Sequence, residues 1–169
     1  MEFREINTDI ESMFTEYISE WYENEESVVP WSTDVKHHGG FKKMLMMQKE
    51  AINPINKDFV KAKTFVLIDN QHIVGAVNIR YALNEFLENK GGHVGYGVRK
   101  SERGKGYATK LLEYALIELR EESVEKALIT CDENNLASQK VIIHNNGVEA
   151  EPFISDDNEI TKRFWINLE

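Results

Sequence analysis

Cysteine occurs once in the 169 residues, as Cys131, which excludes an intrachain disulfide and a cysteine-rich zinc site. The scarcity fits a reducing compartment, and the expected location is the cytoplasm. No apolar run approaches the ~20 residues that cross a bilayer. The opening Met1-Glu2-Phe3-Arg4-Glu5 also lacks the basic-then-apolar order of a secretion signal, so no membrane partner is expected. Basic residues are the minority: 20 Lys and Arg against 29 Asp and Glu give a formal net charge of -9. Such a field repels a phosphate backbone, and no Lys/Arg stripe with interleaved aromatics offsets it, so nucleic acid is not an expected partner. The same field mildly attracts cationic substrates such as amines. Repeats and low-complexity tracts are missing too. With 41% apolar and 29% charged residues, the chain has a globular composition, and residues 1–169 are expected to fold as one domain.

The first residues, Glu2-Phe3-Arg4-Glu5-Ile6, alternate like a short strand. Thr8 or Asp9 can then cap a helix carrying Ile10, Met13, Phe14, Tyr17, Ile18 and Trp21 on one face. Beyond a loop with Pro30 and Trp31, a second helix is expected from about Val35 to Ala51, closed by Asn53-Pro54. The period then shortens: Lys63 to Ile68, a turn at Asp69-Asn70, and His72 to Tyr81 read as a β-hairpin. Asn84 to Asn89 reads as one helical turn, and His93 to Val98 as a strand interrupted by Gly95 and Gly97. Ala108, Leu111, Leu112, Ala115, Leu116 and Leu119 recur at three and four and define the clearest helix, Gly106 to Arg120. A buried strand at Lys126 to Cys131, a helix at Asn135 to Asn145 and a closing hairpin, Gly147 to Ile154 with Ile160 to Leu168, complete the reading.

The chemistry concentrates between the strand that ends at Val98 and the strong helix, in Arg99-Lys100-Ser101-Glu102-Arg103-Gly104-Lys105-Gly106-Tyr107-Ala108. The first turn of a helix has backbone N–H groups with no intrahelical partner and about half a positive charge from the macrodipole. Glycines there let phosphate approach the backbone. A Walker A loop is ruled out, because Gly104-Lys105 is followed by Gly106 rather than Ser or Thr. The dinucleotide pattern fails as well: Gly95-Tyr96-Gly97 leads into Val98-Arg99-Lys100 and lies within the strand.

Arg103-Gly104-Lys105-Gly106-Tyr107-Ala108 resembles the cofactor motif of the GNAT superfamily of N-acetyltransferases, Gln/Arg-x-x-Gly-x-Gly/Ala between a strand and a helix. Asn135-Leu136-Ala137-Ser138 is similar to the Asn-x-x-Ala/Ser segment that the family places against the pantetheine arm. Its plainer reading is a helix start capped by Asp132 or Asn134. More narrowly, Asn78 to Asn84 and Gly91 to Arg99 look like a bacterial branch labelled only as predicted acetyltransferases. The resemblance implies an α/β (α+β) fold: a mixed, mostly antiparallel sheet flanked by helices, with a splayed parallel strand pair, ending near Val98 and Cys131, around the cofactor. It implies acetyl-CoA (coenzyme A) as co-substrate with no metal, and an amine of a small molecule or peptide as acceptor. Homodimer formation stays open. The cofactor residues it implies are Val98, Arg99, Arg103, Gly104, Lys105, Gly106, Tyr107, Ala108, Thr109, Asn135 and Ser138.

In such a reaction the amine attacks the thioester directly, and backbone N–H near Val98 can bind the developing oxyanion. The sequence departs from the family where protons move: Ile142 stands at the usual tyrosine acid and Gly92 at the strand glutamate. Tyr96 and His93 are the candidates that remain on that strand, Tyr96 as acid and His93 as base. Alternation puts Tyr96 on the face of Gly92, with His93 opposite. Each also has an ordinary reading, as a core aromatic and a satisfied structural histidine. A non-catalytic acyl-CoA sensor is the competing function.

Other residues read as structural. His37 and His38 are a solvated pair without further ligands, Cys131 an inert buried thiol, and the run Glu16, Glu20, Glu23, Glu25 and Glu26 a solvated face. Trp21, Trp31, Phe41, Met44 and Met47 are candidates for the acceptor pocket, with core packing expected for most. A bulky residue in place of Gly106 is expected to abolish acetyl-CoA binding measured by calorimetry; unchanged affinity would remove the anion site from consideration.

Overall fold

The computed structural model describes residues 1–169. Its strands are β1 (Glu2–Glu5), β2 (Ala62–Asp69), β3 (His72–Arg80), β4 (Val94–Val98), β5 (Lys126–Asp132), β6 (Val148–Ile154) and β7 (Ile160–Asn167). Its helices are α1 (Glu11–Glu23), α2 (Val35–His38), α3 (Phe41–Ile52), α4 (Glu85–Asn89), α5 (Tyr107–Glu121) and α6 (Leu136–His144). The strands form two antiparallel sheets, ordered β1-β2-β3-β4 and β5-β7-β6. None of the helices is long and apolar enough to cross a membrane.

The expected second helix breaks in two. Gly39 (φ 78°) closes α2 in the left-handed region and Gly40 (φ 122°) begins α3, so the apolar periodicity runs across a sharp turn. Strand β2 is buried on both faces. Phe65 and Leu67 join a core with α5 and β5, whereas Val66 and Ile68 join a second core with α1 and α3.

The first sheet ends at β4 and the second at β5, and no ladder joins these two edges. On β4 the pairing with β3 is flanked by Arg80 N–H to the His93 carbonyl (2.7 Å) and Arg99 N–H to the Val74 carbonyl (3.1 Å). Antiparallel alternation then gives the odd-numbered residues to β3 and turns the N–H and C=O of Val94, Tyr96 and Val98 outward. On β5, Leu168 N–H to the Glu125 carbonyl and Glu133 N–H to the Ile160 carbonyl set the same rule. The backbone groups of Leu128 and Thr130 therefore turn away from β7, toward β4.

The edges touch at one place. His93 N–H donates to the Leu128 carbonyl (2.7 Å), Leu128 N–H donates to His93 Nδ1 (2.8 Å), and Gly91 N–H donates to Thr130 Oγ1 (2.9 Å). Beyond this junction the strands part. Gly92, with φ 59°, lies against the Leu128 carbonyl so closely that a Cβ would collide with it. Gly92→Ala is expected to lower stability by about 2–4 kcal/mol in urea unfolding, from overpacking plus the left-handed backbone. Gly104→Ala, at φ 76° but with nothing within 4 Å, reports the backbone part alone; equal losses in the two variants would argue against the close approach.

Candidate active site

The loop between β4 and α5 is clamped from α1. The Arg99 guanidinium, 7% exposed, donates to Glu16 through Nη1 (2.8 Å) and Nη2 and to Glu20 through Nε. Its side-chain bonds to Glu16, and beyond them those to Glu20, raise its pKa above the ordinary arginine value. Glu20 also accepts from Ser101 N–H (2.7 Å) and Ser101 Oγ (2.9 Å). Arg103 donates from both terminal nitrogens to Glu26 and from Nε to the Val98 carbonyl (3.0 Å). The acidic run is thus a solvated face only in part: Glu23 and Glu25 are exposed, while the carboxylates of Glu16, Glu20 and Glu26 hold the loop. Arg99 is corrected as a cofactor ligand, since side chain and N–H are both engaged within the protein.

The N–H groups of Gly104, Lys105, Gly106, Tyr107, Ala108 and Thr109 donate to nothing in the protein, and Lys110 N–H to the Gly106 carbonyl (3.2 Å) is the first bond of α5. Gly104 (φ 76°) and Gly106 (φ 86°) take left-handed backbone, and no side chain caps the helix. Six consecutive free donors at a helix start form a concave anion cradle. The Tyr107 hydroxyl anchors it to Asp69 (2.7 Å), and that bond pushes the phenol up to about 12. Lys105 reaches back to Glu102 (2.9 Å).

Tyr96 projects to the α5 side, where its hydroxyl lies 2.8 Å from Ser138 Oγ at the start of α6. Burial pushes the phenol up to about 12. Asn135 is itself the N-cap, its Oδ1 accepting Ser138 N–H (3.0 Å), in place of the expected Asp132 or Asn134. Tyr96 and Ser138 are thus brought together across the gap between β4 and β5. The half-buried Cys131 borders them, its thiol pushed up by burial. Ile142 is fully buried core.

His93 is corrected as the base. It is 5% exposed, its Nδ1 is occupied by Leu128 N–H, and burial, helped by the Arg80 charge, pushes its pKa down to about 4. Among the acceptor-pocket candidates, Trp21, Phe41 and Met44 are core, Met47 is half-buried and Trp31 is 56% exposed. Trp31 meets His37 and His38 edge-on, and no cluster suited to a metal ion exists. Sequence reasoning missed the clamping carboxylates; the i, i+4 spacing of Glu16 and Glu20 on one helix face was the available signal.

The two-sheet α/β fold is that of known N-acetyltransferase structures. The chain resembles the ribosomal-protein-S5-alanine acetyltransferase of Vibrio fischeri with a TM-score of 0.71 at 15% identity, over 99% of this chain and 92% of that one. It resembles yncA of Salmonella typhimurium, solved with its cofactor acetyl-CoA, with a TM-score of 0.64 at 12% identity, over 99% and 94%. A variant of the spermidine N-acetyltransferase SpeG of Vibrio cholerae superposes with a TM-score of 0.65 at 14% identity, over 99% and 95%. No curated protein matches at the sequence level. The acetyltransferase (GNAT) family model matches residues 10–144, and the chain belongs to that family.

Because the folded-state pKa of His93 lies below its ordinary value, the unfolded chain takes up the extra proton. Its contribution to stability is whole above pH ~6.5 and is lost as pH falls toward about 4. His93→Ala leaves the Leu128 N–H unpaired and is expected to cost about 1–3 kcal/mol at pH 7.5, with a smaller cost at pH 5, in denaturant unfolding. A cost that grows on acidification would contradict the buried neutral imidazole.

Proposed function

We propose that this chain, as one domain in the cytoplasm, transfers an acetyl group from acetyl-CoA to a primary amine of a small molecule or peptide by direct attack. The observation that carries the reading is the cradle of six free N–H groups from Gly104 to Thr109, which suits a pyrophosphate and serves no bond within the protein. Arg103, on an exposed pairing with Glu26, can exchange that carboxylate for phosphate. The outward backbone groups of Tyr96 offer an extended amide arm part of the pairing that another strand would make.

Acetyl-CoA supplies the activated thioester when bound. Val98 N–H is placed to donate to the carbonyl oxygen as charge develops on it. Tyr96, kept protonated by burial, is the proton donor for the leaving thiolate, and Ser138 orients its hydroxyl. Gly92 has no room for a basic side chain and His93 is no base, so the amine loses its proton to water.

The fully buried Ile142 in place of the family acid favours a second reading, a non-catalytic acyl-CoA sensor. Thiol release from acetyl-CoA with a panel of amines separates the two. Under the transferase reading at least one amine releases thiol, and Tyr96→Phe lowers kcat by about 100-fold while acetyl-CoA affinity stays within about 3-fold. Tight acetyl-CoA binding with no release from any amine selects the sensor. A full rate in Tyr96→Phe removes the tyrosine from the proton path.

A further inference from the structure

Acidic residues outnumber basic ones by 29 to 20, so a buried arginine should find a carboxylate easily. Arg4, Arg99 and Arg103 do. Arg80, the half-buried last residue of β3, does not, and neither do Arg120 and Arg163, which bond only backbone carbonyls. Arg80 Nη1 donates to the carbonyls of Gly91 (2.9 Å) and Gly92 (3.3 Å), and its Nε and Nη2 donate to nothing. Burial alone lowers its pKa, with no carboxylate acting in the other direction. A desolvated cation without a counter-charge is unfavourable, and its two free nitrogens form the edge that receives a carboxylate with two parallel bonds. Support of the Gly91-Gly92 turn accounts for Nη1 and leaves that edge unexplained.

The place of this edge is specific. The guanidinium stands 3.3–3.8 Å from where a Cβ on Gly95 would be, so a glycine there gives it room. Gly95 and Gly97 face opposite to Tyr96, and Gly97 packs on the Val29 carbonyl, which makes this the side of the loop between α1 and α2. Asn78 lies on the same face two residues before Arg80, roughly 7 Å away along the strand. Asn78 Nδ2 donates to Thr64 Oγ1 (3.1 Å) and to the Lys63 carbonyl (3.3 Å), while its Oδ1 accepts nothing. Thr64 in turn donates to Ser32 (2.9 Å). One wall therefore offers a carboxylate receptor and, one pleat away, a free oxygen for an ammonium group.

We infer that Arg80 binds a carboxylate of the acceptor, which places the acceptor among amines that also carry a carboxylate, the amino-acid class. The inference rests on the transferase reading, and its test separates the two. Calorimetry with acetyl-CoA comes first: no binding ends the transferase reading and this inference with it. With binding established, kcat/KM is measured for free amino acids, for the same amino acids as C-terminal amides, and for spermidine. The expected result is a preference of about 10- to 100-fold for an acid over its own amide. Arg80→Gln should remove that preference by raising KM for the acid far more than for its amide, with acetyl-CoA affinity within about 3-fold, and Arg80→Lys should retain part of it. Acetyl-CoA binding with amides or spermidine used as well as the acids, or with no acid used at all, overturns the inference alone. Equal loss of acid and amide rates in Arg80→Gln, with a lowered melting temperature, overturns it in favour of a turn support. The wild-type acid-to-amide ratio decides the matter even where Arg80→Gln does not fold.

Discussion

Two sheets meet through a single pair of backbone segments, and the single contact makes the gap. His93 and Leu128 exchange hydrogen bonds through one backbone pair and one imidazole, which ties β4 to β5 at the base and leaves the rest of both edges unpaired. An ordinary sheet would satisfy those edges with a ladder. Here the imidazole takes the place of a ladder carbonyl, and Gly92 brings the chains too close for any side chain between them. The cost of a buried neutral histidine and a left-handed glycine is borne at the point where the cleft begins, as is usual for strained residues near functional sites.

The electrostatics follow from that geometry. A helix start with six unsatisfied donors is positive, and it opens at the far end of β4 from the junction. Helix α1 brings Glu16 and Glu20, and the segment after it Glu26, against the same loop, where they neutralise Arg99 and Arg103 and fix the turn. The backbone is thereby preorganised, and the anion site depends on N–H groups more than on side-chain charge. In a chain of net charge -9 this is a local exception: dipoles held in place make one positive end that the global field does not.

The two faces of β4 meet different surroundings. Tyr96 points to the α5 core and meets Ser138, while the bare Gly95 and Gly97 let Arg80 and the Val29–Trp31 segment approach from the other side. Alternation along five residues thus puts Tyr96 on the face opposite Arg80, Gly95 and Gly97. The solved relatives named above act on a ribosomal-protein alanine and on spermidine, which shows how little the shared fold says about the acceptor.

The loop with free N–H groups before α5 was legible in the sequence because everything that makes it is local. Gly104, Gly106 and the apolar repeat of α5 lie within one turn and one helix, and neighbouring residues alone determine a helix start with free N–H groups. The hairpin of β2 and β3 and the strand at Val94–Val98 were readable for the same reason. The break at Gly39-Gly40 was missed, because the apolar period continued across it. Partner choice belonged to the tertiary structure. Arg99 finds Glu20 and Glu16 at separations of 79 and 83 residues, and His93 finds Leu128 at 35, so nothing in the local pattern distinguishes a phosphate ligand from a clamp or a base from a junction. The sequence alone determined a glycine-bearing helix start with free N–H groups; which side chains around it stay unengaged was decided by contacts between segments that only folding brings together.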